Sequence, residues 1–126
     1  MPDHPNQKTV LIVEDNPLNM KLAAELLELH GVRVLKASDG EAALTLLDAD
    51  EPDLILTDIH LQGLDGFELF RRIRANSRLQ RVRVVALTAL AMREEEQKIR
   101  EFGFSDYIAK PINTRSFVKK IQELLS

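Results

Sequence analysis

The chain contains no cysteine, which excludes disulfides and thiolate chemistry and is compatible with a reducing compartment. Its apolar runs are only a few residues long and no signal-peptide core opens it, so neither a membrane span nor a secretory leader is expected. A net charge of -3 is too small to draw the chain toward nucleic acid or an anionic membrane. There is no internal repeat and no low-complexity tract. A length of 126 residues leaves room for one core and not for a second domain. With 44% hydrophobic and 29% charged residues, these exclusions describe an ordinary globular domain, read as cytoplasmic.

What is present is a set of short apolar runs that each end on a polar side chain. Leu54-Ile55-Leu56-Thr57 ends on Asp58, and Val10-Leu11-Ile12-Val13 runs into Glu14-Asp15. Val84-Val85-Ala86-Leu87 ends on Thr88, and Tyr107-Ile108-Ala109 ends on Lys110. Continuous apolar runs of this length are the signature of strands buried on both faces of a parallel sheet, and ligands of such sheets bind at their carboxyl edge. Four strands would therefore bring three carboxylates, a hydroxyl and an ammonium to one rim.

Between these runs the periodicity changes to helical. Met1 to Gln7 offers nothing to bury and is expected to be a flexible tail, with the folded domain spanning 8–126. Asn16 and Pro17 open a helix with apolar positions Met20, Ala23, Ala24 and Leu27, which should stop near His30-Gly31. Arg33 to Ala37 alternates as an edge strand would, Asp39 caps a second helix, and Asp65-Gly66-Phe67-Glu68 reads as an acidic capping box for a third. A fourth helix is expected over 89–102, stopped by Gly103. A fifth, capped by Asn113 or Thr114, presents Phe117, Ile121 and Leu124. Five β-then-α units with right-handed crossovers imply an α/β fold, a doubly wound parallel sheet covered on both faces.

Three clustered carboxylates repel; a pair at about 4 Å costs roughly 4 kcal/mol at an effective dielectric near 20. Lys110 supplies one compensating charge, and a hard divalent cation such as Mg²⁺, held by a few carboxylates and several waters, suits the rest. Phosphoryl oxygens can fill the open positions. Asp58 is then the candidate nucleophile, Glu14 and Asp15 the metal-holding pair, and Lys110 and Thr88 the groups aimed at the phosphoryl oxygens.

With VLIVEDN, LILTDI, VVALTA and DYIAKP in this order and at these separations, the sequence resembles the receiver domains of two-component response regulators. The likeness covers about Lys8 to Leu125. It implies a CheY-like, flavodoxin-like (βα)5 fold of strand order 2-1-3-4-5. It also implies that Asp58 is the phosphoacceptor, with Mg²⁺ (or Mn²⁺ in its place) bound by Glu14, Asp15, Asp58 and the backbone carbonyl of His60. By the same resemblance Thr88 and Tyr107 are the switch pair, Lys110 binds phosphate, and the Lys110-Pro111 bond is cis. The implied partners are a histidine kinase or histidine phosphotransfer protein and a downstream protein effector, for a monomer or weak dimer with no DNA-binding domain. The output surface is expected on the helix after Thr88, the fifth strand and the last helix. EDNPLNMKL is most similar to single-domain regulators of the DivK type and to hybrid-kinase receivers.

Two positions depart from the family pattern. Gln62 stands where receivers commonly carry proline, which would loosen the loop after Asp58. Glu14 replaces the commoner aspartate, a longer arm that would reach the metal through water. Taken singly, each group has a plainer reading: Asp58 as a loop acid, Glu14-Asp15 as helix caps, Thr88 and Lys110 as solvated strand ends, Tyr107 as a core aromatic. The His60 ring is expected to be exposed and to do no chemistry, and His60 and Leu90 flank the point of water attack. Arg71, Arg72, Arg74, Arg78, Arg81 and Arg83 form a charge cluster, read as a solvated face ahead of a partner-docking patch, without the stacking aromatics that nucleic acid would ask for. The rivals are a receiver excised from a hybrid kinase, an aspartyl phosphatase and an FMN carrier. The last would need a Gly, Ser and Thr-rich loop in place of Glu14-Asp15.

Overall fold

The computed structural model describes residues 7–89 and 93–126. Its elements alternate as β1 (Thr9–Val13), α1 (Pro17–Leu29), β2 (Arg33–Ala37), α2 (Gly40–Leu47), β3 (Leu54–Asp58), α3 (Gly66–Ala75), β4 (Arg83–Thr88), α4 (Arg93–Phe102), β5 (Asp106–Ala109) and α5 (Thr114–Leu125). The strands form one parallel sheet in the order β2-β1-β3-β4-β5. This is the expected doubly wound α/β fold. No helix among the described residues is long and apolar enough to cross a membrane. Leu90 and the expected start of the fourth helix fall partly outside the described residues, as does all of the expected tail except Gln7, whose Nε2 donates to the Gly31 carbonyl at 3.1 Å.

Capping side chains set the helix starts. The Asn16 side chain accepts from the N–H groups of Leu18 and Asn19, Asp39 from Ala42, Asp65 from Glu68 and Asn113 from Ser116. The expected capping box at Asp65 is only half formed: the Glu68 carboxylate reaches forward to Arg71 and Arg72, where opposite charges one turn along the helix attract it. α1 ends as expected, with His30 as its cap and Gly31 beyond it at φ 81°, the left-handed conformation that favours glycine.

The core divides by strand parity. Val10 and Ile12 of β1, Leu54 and Leu56 of β3, Val85 and Leu87 of β4 and Ile108 of β5 pack with Ala23, Ala24 and Leu27 of α1 and Phe117, Val118 and Ile121 of α5. Leu11, Val13, Ile55, Val84 and Ala86 face the other way, onto Ala43, Leu47, Leu69, Phe70, Ile73 and Ile99 of α2, α3 and α4. Because side chains alternate along a strand, this parity also sorts the rim. Glu14 continues the row of Val10 and Ile12, Asp58 that of Leu54 and Leu56, and Lys110 that of Ile108, so these three lean to the α1/α5 side. Thr88 continues Val84 and Ala86, and Tyr107 alternates with Ile108; both lean toward α4.

The arginine cluster is the expected solvated face, with Arg71, Arg72, Arg78, Arg81 and Arg83 exposed, and several of its members also bond to the fold. Arg74 donates to the Leu79 carbonyl at 3.0 Å and lies 5.0 Å over the Phe70 ring. Arg78 holds the Leu47 carbonyl and Glu51, and Arg83 reaches the Leu124 carbonyl at 2.6 Å. With Arg71 and Arg72 paired to Glu68, these cations tie loop and helix ends together.

Gly66 is where the fold bears most directly on the rim. A Cβ built there would lie 2.5 Å from the Asp58 carbonyl oxygen and 2.7 Å from Ile59 Cα, so only glycine lets α3 start against the end of β3. Gly66→Ala is expected to destabilise the protein by about 2 to 3 kcal/mol in urea denaturation, because the obstacle is backbone that cannot move aside. An unchanged midpoint would show that this contact does not set the position of Asp58.

Candidate functional site: an acidic notch closed by Lys110

The sheet register delivers the site. Val13 pairs with Thr57, so Glu14 and Asp58 leave adjacent strands side by side; Asp58 pairs with Leu87 and Thr88 with Ala109, one residue before Lys110. One carboxylate oxygen from each of Glu14, Asp15 and Asp58 lies within 4.8 Å of the others. Lys110 stands among them: its Nζ is 2.5 Å from Asp58 Oδ2 and 2.7 Å from Glu14 Oε1. The Lys110-Pro111 peptide is cis. Asp58 is buried, and its second oxygen, Oδ1, accepts the His60 N–H at 2.8 Å.

Burial and charge act against each other in this notch. For Glu14, burial outweighs its bonds to Lys110 and the Asn16 N–H and, with the nearby Asp58 charge, holds its carboxyl above the usual range. For Lys110, burial alone would depress the ammonium, but the Asp58 and Glu14 carboxylates outweigh it and hold its pKa above the ordinary lysine value. A single lysine therefore stays charged while leaving the acids short of cation. Glu14 Oε1 is buried and, apart from its contact with the Lys110 ammonium, has no hydrogen-bond partner among the described residues. An all-oxygen donor set with an unsatisfied buried carboxylate oxygen and one exposed member, Asp15, fits a hard divalent cation of the Mg²⁺ type, which keeps part of its water shell. The chain places the His60 N–H on Asp58, and the residue's carbonyl belongs to the same turn.

The remaining candidates are drawn to α4. The Thr88 hydroxyl donates to the Glu95 carboxylate, in the first turn of α4. The His60 ring, expected to be idle, puts its Nε2 at 3.1 Å from both Glu95 oxygens. Tyr107 is half-buried, with the Arg100 guanidinium 5.9 Å from its ring centre. Burial first, and then the nearby negative charge of Glu96, push this phenol above its ordinary pKa. Glu95 and Glu96 are thus site residues that sequence reasoning missed. They stand in an acidic helical run whose only visible signal is a favourable charge at a helix start.

The model of the response regulator receiver domain matches residues 10–122 of the chain. The chain belongs to the response regulator receiver domain family. Among relatives of this receiver, the polar-differentiation response regulator DivK of Brucella anthropi is 41% identical over 118 residues, covering 94% of this chain and 96% of that protein. Among solved structures, the chemotaxis response regulator CheY4 of Vibrio cholerae superposes with a TM-score of 0.88 at 25% identity, covering 94% of this chain and 98% of that one. The receiver domain of the sensor histidine kinase PA1611 from Pseudomonas aeruginosa, solved with a magnesium ion coordinated in its active-site cleft, is 34% identical with a TM-score of 0.86, over 94% of this chain and 98% of that one. The CheY-like architecture and membership in two-component signalling expected from the motifs are therefore established.

Tyr107 is the one tyrosine and there is no tryptophan, so tyrosinate absorbance reads this residue alone. The folded receiver should ionise its phenol above the ordinary value of 10.0, and Glu96→Gln should bring the midpoint down. Because the folded state holds this proton more tightly than the unfolded chain, stability falls as pH rises from 10.0 through the folded midpoint. A titration midpoint at or below that of free tyrosine would contradict the Glu96 contact.

Proposed function

We propose that Asp58 accepts a phosphoryl group from a phosphohistidine, making the chain a switch that is set by phosphorylation. The observation that carries this reading is the arrangement of Asp58, buried beside Glu14 and Asp15 and gripped by Lys110 at the carboxyl edge of the sheet. An Asp58 oxygen forms the new P–O bond as the P–N bond of the donor histidine breaks, and the leaving imidazole retains or takes up a proton. Lys110 exchanges its bond to Asp58 Oδ2 for one to a phosphoryl oxygen, so the charge that now neutralises the acids comes to stabilise the transferring group. Glu14, Asp15, Asp58 and the His60 carbonyl are the residues that would hold Mg²⁺, with Mn²⁺ as a substitute. When bound, such an ion neutralises charge shared between carboxylates and phosphoryl oxygens.

Thr88 is the hydroxyl that turns to the phosphoryl group, and Tyr107 the aromatic that follows it inward, a local charge event biasing a two-state element. The changed surface comprises α4, β5 and α5. The donor is a histidine kinase or histidine phosphotransfer protein, and the readout is contact with a downstream protein effector or onward transfer, by a cytoplasmic monomer or weak dimer. The receiver unit spans 8–126. The 41% identity to DivK, covering 96% of that protein, supports a single-domain regulator that catalyses only its own phosphorylation and dephosphorylation. The likeness to the PA1611 receiver supports a second reading, a receiver that works within a hybrid kinase.

Incubation with Mg²⁺ and labelled acetyl phosphate tests the reading. Wild type should incorporate label, chelation of the metal should stop it, and Asp58→Asn should take up none. Lys110→Ala, which keeps the nucleophile and removes one charge from the transition state, should slow incorporation by roughly 10²-fold. Equal labelling of wild type and Asp58→Asn would contradict the assignment.

A further inference from the structure

Glu95 competes with the phosphoryl group for the same hydroxyl. A threonine hydroxyl has one proton to donate, and here it goes to the Glu95 carboxylate. Glu95 is itself held on its other side by the His60 ring, at 3.1 Å to each oxygen, and its side chain is only 16% exposed. His60 lies two residues beyond Asp58, Thr88 ends β4, and Glu95 lies in the first turn of α4. The bridge thus joins the loop that follows the proposed phosphoacceptor, the strand that carries the switch hydroxyl, and the helix on the expected output surface.

We propose that the His60-Glu95-Thr88 bridge is an autoinhibitory latch, in which Glu95 is a positioning residue that holds Thr88 and the start of α4 in the resting arrangement. The inference rests on the phosphoacceptor reading of Asp58. Phosphorylation places new anionic acceptors at the rim. When Thr88 donates to them its bond to Glu95 is lost, while Glu95 keeps its contact with the His60 ring. Every bit of stabilisation that Glu95 gives the resting state is subtracted from the affinity for a phosphoryl group. The strand parity described above is what makes the competition possible, because it points Thr88 toward α4 rather than toward Lys110.

The affinity for beryllofluoride in Mg²⁺, measured by titration, reads the latch. Glu95→Ala should tighten beryllofluoride binding by about tenfold, the scale of one hydrogen bond to a charged acceptor. Glu95→Gln, which keeps the shape and weakens the acceptor, should fall between wild type and Glu95→Ala, and serves if the alanine variant folds poorly. Glu94→Gln, an exposed neighbour of the same charge, should change little. The deciding comparison is Glu95→Ala made in a Thr88→Ala background, where the gain should vanish. A gain of the same size in both backgrounds would overturn the latch in favour of simple relief of negative charge, and no gain in either would overturn it outright. Those results count against the latch alone when wild type binds beryllofluoride normally. Wild type that binds none would overturn the phosphoacceptor reading and the latch with it.

Discussion

Three carboxylates share the end of a buried sheet, and their mutual repulsion is the constraint around which this rim is arranged. The repulsion follows from register: parallel pairing of β1 with β3 puts Glu14 next to Asp58, and parity turns both to the α1/α5 side. Lys110 is brought to the same side by β5 and bonds to Asp58 while touching Glu14. Its position offsets part of the charge and leaves Glu14 Oε1 with no other hydrogen-bond partner among the described residues. A structure selected for stability alone would have little reason to bury Glu14 there. Groups perturbed by burial and neighbouring charge in this way cluster at functional sites.

The other half of the rim obeys a different logic. Thr88 bonds to Glu95 and Tyr107 lies near Glu96, so the proposed switch hydroxyl and aromatic both face one turn of one helix. The acidic first turn that favours α4 through its dipole therefore also supplies the carboxylates that face the proposed switch residues. A phosphoryl group on Asp58 would pull on the Thr88 hydroxyl from across the sheet, and the helix would register the loss. Coupling of this kind needs no long pathway. It needs two acceptors for one proton, on opposite sides of a strand end.

Much of this was legible in the sequence because it rests on local rules. The apolar runs ending at Glu14, Asp58, Thr88 and Lys110 marked the strands, and Asn16, Asp39, Asp65 and Asn113 marked helix starts through side chains that bond within three residues. The rim could be anticipated because every strand of a parallel sheet points the same way. Contacts set by packing between distant elements were not legible. Nothing near His60 announces a partner 35 residues away at Glu95. Glu68 chose Arg71 and Arg72 over the cap, and three arginines of the cluster, besides forming the solvated face, hold carbonyls at Leu47, Leu79 and Leu124. In each case the competing partner was visible as a residue type, while its distance was not.

The central claim is that the notch is short of positive charge and completes itself with a divalent cation. Calorimetric titration of Mg²⁺ into wild type and into Asp15→Asn tests it most directly, since Asp15 is exposed and its loss should leave the core intact. The account predicts saturable uptake by wild type that is weakened at least about tenfold in the variant, the scale of losing one carboxylate ligand. Uptake of equal affinity in both proteins, or none in wild type, would contradict it.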